Sequence, residues 1–409
     1  MGTPVLQALS MHHFFRFKVT AALDSRMHHA VVIICVLLAL DHKAMAAPAP
    51  DDEEISDEDK KIMQENCNKQ EGGCTPDLEE YKEEREEIKE FLIDEFEFEE
   101  GIPEDEAAKE AEELLQKIQE LKTLIHAEMG IPEIPPANNG LFEGDIILTK
   151  EQAQEMIDEI KGKAKRAASF FFEKHPERQW SMPIHYWVDT TYLTEEQTAN
   201  YDEALLMITE AVPCIVFEKD DARSNSGPQM QFIAIGGGCG GAAHVGLQDT
   251  NEIEVNAKKP TCVGDKLKNT IIHETIHSLG GHHEQTRTDR DKYVKILWDN
   301  IEPEQAYNYH AFNDSTSYGA PYDYKSIMHY TASSFALSNE PTMKALQGEN
   351  VQLGGGMVMT ESDILQLKRM YCSTCEDERD KCGIQALDGG CENETVKSEC
   401  PRSCGQCDQ

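Results

Sequence analysis

The chain has 409 residues and a formal net charge of −38. This length exceeds one typical domain and allows a sizeable buried core. Nucleic-acid binding is excluded as a main role, because phosphate recognition needs a basic surface stripe and the sequence contains none.

The first apolar feature is an eleven-residue run near the N-terminus. It spans residues 30–40 (AVVIICVLLAL), follows several basic residues and precedes the small-residue stretch 44–46 (AMA). Such a run is too short to span a bilayer comfortably, and this order is typical of a secretory signal peptide. We therefore expect residues 1–46 to be a signal peptide, with Met27 as an alternative start. The mature protein is expected to be secreted and extracellular, without a membrane span.

Residues 47–166 form a second compositional region. They contain 37 acidic and 14 basic residues, a net charge of −23. Helical patterns cover residues 81–98 and 104–127, but the charge and low apolar content predict a loosely packed, partly disordered helical region. The region ends at a basic stretch, residues 161–166 (KGKAKR), which we interpret as a processing site.

After Arg166 the composition becomes that of an ordinary globular domain. Periodic patterns predict strands and helices in alternation, which indicates an α+β domain. The predicted strands cover residues 180–188, 214–218 and 229–235, and the predicted helices cover residues 194–211 and 267–280.

The second of these helices contains a metal-binding pattern, HETIHSLGGHH at residues 273–283. His273 and His277 are four residues apart, so both imidazoles project from one helix face and can bind one zinc ion. Gly280 allows the chain to turn, so that His283 can supply a third ligand. Three protein ligands leave a position open, as in catalytic zinc sites.

The chemistry expected of such a site is hydrolysis. Zinc lowers the pKa of bound water and polarises a carbonyl group. Glu274 lies beside the first ligand and is the expected general base, which passes the proton to the leaving amine. The sequence therefore predicts a zinc-dependent endopeptidase.

Two motifs resemble a known family. Residues 273–291 (HETIHSLGGHHEQTRTDRD) match the extended signature of astacin-family metzincin peptidases, and residues 326–330 (SIMHY) match their Met-turn. The resemblance implies a two-lobed catalytic domain with a zinc-binding active-site helix, one zinc ion per subunit and protein or peptide substrates. It also implies that Met328 lies beneath the ligands, that Tyr330 is a displaceable zinc neighbour stabilising the tetrahedral intermediate, and that Glu284 contacts the new N-terminal ammonium after activation.

The same resemblance gives residues 47–166 the role of a propeptide. Residues 142–145 (FEGD) are similar to an element of astacin propeptides whose aspartate occupies the open zinc position. Asp145 would then block the zinc until an activating protease cuts near Arg166. The peptidase domain would span residues 167–374.

Twelve cysteines follow the predicted signal, and an exported chain is expected to pair them as disulfides. Residues 375–407 resemble a ShK-type toxin (ShKT) domain, although their spacing alone allows fifteen pairings. Cys67 and Cys74 are expected to pair locally. The pairs implied by the two resemblances are Cys214–Cys372, Cys239–Cys262, Cys375–Cys407, Cys382–Cys400 and Cys391–Cys404.

Asn313 and Asn393 begin triplets that fit N-glycan sites. Two other functions compete with the peptidase. One is a secreted binding protein that acts through residues 375–407 and carries a vestigial peptidase domain. The other is an inhibitor or matrix component built on the acidic region.

Overall fold

Helices dominate the N-terminal part of the computed structural model. The described residues are 55–70, 73–97, 101–162, 175–222, 227–234, 239–248, 251–255, 261–311, 317–348, 350–373, 375, 377, 382–387 and 389–407. The N-terminal helices are α1 (Asp57–Lys69), α2 (Glu79–Glu95), α3 (Glu104–Glu128) and α4 (Lys150–Ile160).

Helices α2, α3 and α4 pack around a shared apolar core. On α3, Leu114, Ile118, Leu121 and Ile125 recur at helical spacing and are at most 2% exposed. The prediction of a loosely packed region is therefore wrong for the described residues. Acidic residues dominate the composition here, but an apolar stripe is enough to build a core when the acids lie on the outer faces, as in the exposed first turn of α3.

A five-stranded sheet forms the first part of the following domain. Its strand order is β2-β1-β3-β5-β4, and only β4, at one edge, is antiparallel to its neighbour. The strands are β1 (Ile184–Val188), β2 (Phe217–Lys219), β3 (Gln229–Ile233), β4 (Gly241–Ala243) and β5 (Glu252–Val255).

Two helices pack against each other beside this sheet: α5 (Glu195–Ala211) and α6 (Asp265–Ser278). Thr194 starts α5 through a capping box with Gln197. Both helices fall within one residue or two of their predicted bounds, whereas each predicted strand is shortened. The sheet and helices share one buried core, which includes Phe232, Ile272 and Met328.

The described residues between 284 and 371 form a second part with little regular structure. It contains the hairpin of β6 (Val294–Ile296) and β7 (Met343–Ala345), several short 3-10 turns and helix α7 (Glu361–Tyr371). Aromatic side chains such as Trp298 and Tyr309 fill its core. Sheet and helices in one domain confirm the α+β prediction.

Short helices and disulfides build the C-terminal end, with α8 (Cys382–Leu387) and α9 (Glu394–Glu399) joined by a 3-10 turn. None of the described helices has the length and apolarity required to cross a membrane. The predicted signal peptide and the predicted cleavage site near Arg166 lie outside the described residues.

The N-terminal region also extends the sheet. Ile146 forms a parallel bridge with Ala243 of β4, in which Ala243 N–H donates to Asp145 O and Ile147 N–H donates to Ala243 O, both at 3.0 Å. These hydrogen bonds bring Asp145 to the face where α6 presents its histidines.

Candidate metal centre

Helix α6 carries two of the predicted ligands on one face. The ring centroids of His273 and His277 are 4.9 Å apart. After Ser278 the chain turns at Gly280, whose φ of 98° lies in the region that favours glycine. The turn places the His283 ring 4.7 Å from that of His277.

The Nε2 atoms of the three histidines converge on the Asp145 carboxylate. The distances to its oxygens are 3.2 Å from His273, 3.5 Å from His277 and 3.2 Å from His283. Possible ligand atoms of these four residues all lie within 4.8 Å of one another. Nε2 of His277 and of His283 and Oδ1 of Asp145 are buried without a hydrogen-bond partner. This donor set suits one zinc ion, which prefers imidazole and carboxylate ligands in tetrahedral arrangement.

A tight turn at residues 142–146 presents Asp145. Phe142 and Ile146 close it with two backbone hydrogen bonds of 2.9 and 2.8 Å. Glu143 and Gly144 have φ angles of 46° and 83°. A Cβ atom at Gly144 would lie only 2.8 Å from the ring of Phe335, so the close approach requires glycine.

Electrostatics favour an ionised Asp145. Burial opposes ionisation, but the surrounding imidazoles, with His283 first among them, hold the pKa of this carboxyl well below its usual range. The carboxylate is therefore an anionic oxygen donor at the position that faces all three Nε2 atoms.

Glu274 is buried beside the same group, with 2% exposure. Gly241 of β4 leaves room for it, because a Cβ atom there would lie 2.6 Å from Cγ of Glu274. Burial raises the pKa of Glu274 well above its usual range, and the Asp145 and Glu254 carboxylates raise it further. Glu274 therefore holds its proton more readily than an exposed glutamic acid, and it lies near enough to Asp145 for that carboxylate to raise its pKa.

Tyr330 packs beside the third histidine. Its ring is 4.7 Å from that of His283, and its hydroxyl donates a hydrogen bond to the backbone carbonyl of Glu143. Burial raises the pKa of Tyr330 well above its usual range, so the hydroxyl remains a hydrogen-bond donor.

Comparison with known proteins assigns this site to a family. Residues 172–372 match the family model for Astacin, a peptidase family, and residues 374–407 match the ShK domain-like model. The chain belongs to the astacin family. The matches agree with the two resemblances found in the sequence.

Relatives of this astacin include zinc metalloproteinases nas-9 and nas-10 of Caenorhabditis elegans. They are 35% and 33% identical, over 67% of this chain and 54% of their own length in each case. The chain thus spans about half the length of these relatives. Meprin A subunit beta of Homo sapiens is 40% identical over 28% of this chain and 17% of its own.

Among solved structures, high choriolytic enzyme 1 of the medaka fish Oryzias latipes, a hatching-enzyme zinc protease, is similar. It is 28% identical, covers 51% of this astacin and 93% of its own chain, and superposes with a TM-score of 0.41.

The astacin resemblance implied roles for two further residues. Met328 is 3% exposed and lies in the core that includes Ile276 of α6. Glu284 is buried and already paired, since Oε1 accepts hydrogen bonds from Arg287 Nη1 at 2.9 Å and from Asp323 N at 2.7 Å. Burial raises the pKa of Glu284 to about 7, against the lowering effect of Arg287. Their roles beneath the zinc and at a new N-terminus remain predictions.

Sequence reasoning missed Glu143. Its side chain is fully buried, and Oε2 lies 2.9 Å from Nδ1 of His283. In the sequence, its position in the FEGD element at residues 142–145 was the only indication of a role, and the family resemblance implied a role for Asp145 alone.

The structure joins the cysteines in the same six pairs as the sequence analysis. Of the two glycan candidates, Asn313 lies outside the described residues. Asn393 is exposed, and its side chain caps α9 by accepting from Thr395 N at 2.9 Å. Glycosylation at either site remains a prediction.

Proposed function

We propose that this protein is a secreted zinc endopeptidase that hydrolyses internal peptide bonds of extracellular proteins. One observation carries the proposal: three histidine Nε2 atoms converge on one point beside the buried carboxyl group of Glu274. His273, His277 and His283 would hold the metal.

The chemistry divides between the metal and the chain. When bound, zinc supplies Lewis acidity for the scissile carbonyl and for water. Glu274 accepts the proton of the attacking water and returns it to the leaving amine. Tyr330 donates a hydrogen bond to the developing oxyanion once its hydroxyl is free of Glu143 O.

We further propose that the chain is a zymogen. Residues 47–166 would be the prosegment, 167–374 the peptidase domain and 375–407 the ShKT domain. Asp145 occupies the site at which water and substrate must enter, and its backbone hydrogen-bonds to edge strand β4. Cleavage near Arg166 by an activating protease would release this block.

Secretion is proposed on the signal-like residues 1–46 and on the disulfides, which persist in oxidising compartments. The ShKT domain is assigned a docking or spacer role. Its segment at residues 391–400 (CENETVKSEC) is acidic and has no tyrosine beside its lysine, unlike channel-blocking ShK toxins.

The test is Glu274→Gln in the activated protein. Removing the general base is expected to lower kcat by about 10²–10⁴-fold, because proton transfer contributes on that order. Peptide cleavage would be followed by fluorescence and bound zinc by mass spectrometry. Zinc content should stay at one ion per chain.

The matched control is Glu252→Gln, another buried carboxylate, on β5. It should retain activity. Undiminished cleavage by the Glu274→Gln protein with zinc bound would refute the proposed mechanism, and full biological function after zinc chelation would favour a binding protein instead.

A further inference from the structure

The three histidines differ in what their second ring nitrogen contacts. Nδ1 of His273 lies 2.8 Å from Ile327 O, and Nδ1 of His277 lies 2.8 Å from Gly281 O. Both acceptors are backbone carbonyls of the peptidase domain. Nδ1 of His283 instead lies 2.9 Å from Oε2 of Glu143, which belongs to the prosegment.

These contacts agree with one tautomer for all three rings. Each Nε2 faces the Asp145 carboxylate, and each Nδ1 faces an acceptor. An Nδ1–H that donates outward leaves the Nε2 lone pair for a metal and fixes the ring orientation. A carboxylate acceptor also makes the imidazole a stronger ligand than a neutral acceptor does.

Buried contacts surround Glu143 in this position. Its side chain is 0% exposed, and its backbone carbonyl accepts a hydrogen bond from Tyr330. The turn that carries it is closed by Phe142 and Ile146, both fully buried. A second carboxylate oxygen, Oε1, lies 3.9 Å from Nδ1 of His282.

We propose that Glu143 is a positioning residue for the metal centre, which orients His283 through its Nδ1–H and makes the precursor retain zinc more tightly than the activated chain. The inference rests on the proposed zinc site. Under this proposal the prosegment does more than block the metal site. Its Glu143 also accepts a hydrogen bond from the third ligand, His283, and activation would remove that hydrogen bond.

The test of this role of Glu143 is the zinc affinity of the full precursor, which would be measured by competition with a chromophoric chelator and without any substrate. Glu143→Leu removes the acceptor and should weaken zinc binding about 10–100-fold, the usual cost of losing an outer-shell partner. Glu143→Gln keeps an acceptor oxygen without the charge and should show a smaller loss. The wild-type precursor should bind zinc more tightly than the activated wild type.

Glu95→Gln is the matched control. Glu95 is also a fully buried prosegment carboxylate bonded to a peptidase histidine, with Oε1 3.0 Å from Nε2 of His244. Because His244 is not a zinc ligand, this variant should keep wild-type zinc affinity. An equal loss in Glu95→Gln and Glu143→Gln would overturn the proposal, since a general loosening of the prosegment would then be responsible.

Unchanged zinc affinity in Glu143→Gln and Glu143→Leu would also overturn it. If the leucine variant does not fold, the glutamine variant decides alone. Activated protein from any of these precursors has one and the same sequence, so its zinc affinity must be identical. Failure of the activated wild type to cut peptides would refute the proposed function but leave the difference in zinc affinity intact.

Discussion

Three carboxyl groups lie around the histidine cluster: Asp145 and Glu143 from the proposed prosegment and Glu274 from α6. Each is buried or partly buried, and burying several like charges is unfavourable unless cations offset them. A divalent ion at the convergence point of the imidazoles would provide that compensation. If cleavage removes the proposed prosegment, two of these carboxyl groups leave, and the Asp145 charge that raises the pKa of Glu274 leaves with them.

The substitution Asp145→Asn in the precursor tests whether Asp145 blocks the metal site. The amide is a poor zinc ligand, so the prosegment should bind its site more weakly, and a loss of about 1.4 kcal/mol already corresponds to a tenfold change. We expect the uncleaved variant to hydrolyse a fluorogenic peptide at least about tenfold faster than the uncleaved wild type. Gel electrophoresis of the same samples would show that the chain is intact.

Glu155→Gln provides the comparison for that variant. Glu155 is a prosegment acid whose contact with Arg178, at 3.2 Å, also spans the two regions but does not reach the histidines. This variant should remain inactive until cut. Equal activity in the two uncleaved variants would show that Asp145→Asn acts by weakening the binding of the prosegment to the peptidase domain, not by opening the metal position.

At the level of elements, α3 is the centre of the prosegment core, and it contains a buried histidine. His126 is 1% exposed, and its Nδ1 lies 2.8 Å from Ile134 O. The pKa of His126 is lowered from 6.5 to about 4, mainly by burial; the hydrogen bond with Ile134 O opposes this effect and the charge of Lys122 adds to it. The folded precursor therefore keeps this ring neutral at pH values where the unfolded chain protonates it.

Acid is thus expected to destabilise the precursor through His126. Because the unfolded chain binds the extra proton, stability falls as pH decreases below 6.5 and the effect saturates near pH 4. Between pH 7 and pH 5 the contribution is about 2 kcal/mol. His126→Asn keeps a donor for Ile134 O but cannot titrate, so urea unfolding of this variant should show a shallower pH dependence. Identical slopes for variant and wild type would contradict the assignment.

How much could be predicted from sequence differs from element to element. The ligand pair on α6 was predictable because four-residue spacing fixes a helix face locally, and Gly280 marked the turn to His283. The packing of α3 was not, because composition averages an apolar stripe with acidic outer faces. The contact of Glu143 with His283 joins residues 140 positions apart, and no local pattern encodes such a pairing.

For the whole molecule, a disulfide contributes more to stability the longer the loop that it closes, with a logarithmic dependence on loop length. Cys214 and Cys372 are separated by 158 residues, and Cys67 and Cys74 by seven. The loop-entropy relation gives about 5 kcal/mol for the first bond and about 2 kcal/mol for the second. Paired replacement by serine should therefore destabilise the chain much more at Cys214–Cys372, as measured by urea unfolding without reductant. A larger loss at Cys67–Cys74 would show that local packing, not chain entropy, dominates.

The turn at residues 142–146 has a further consequence for the lifetime of the precursor. It presents a side chain to the histidines, while the backbone carbonyls on either side of Gly144 are engaged elsewhere: that of Glu143 by Tyr330 and that of Asp145 by Ala243. A peptidase cuts the bond whose carbonyl reaches its metal, and neither carbonyl does so here. Under the proposed mechanism the precursor does not digest its own inhibitor from this arrangement. The lifetime of the precursor then depends on encounters between the basic stretch at residues 161–166 and an activating protease. This process is bimolecular, so its rate increases with the concentration of that protease.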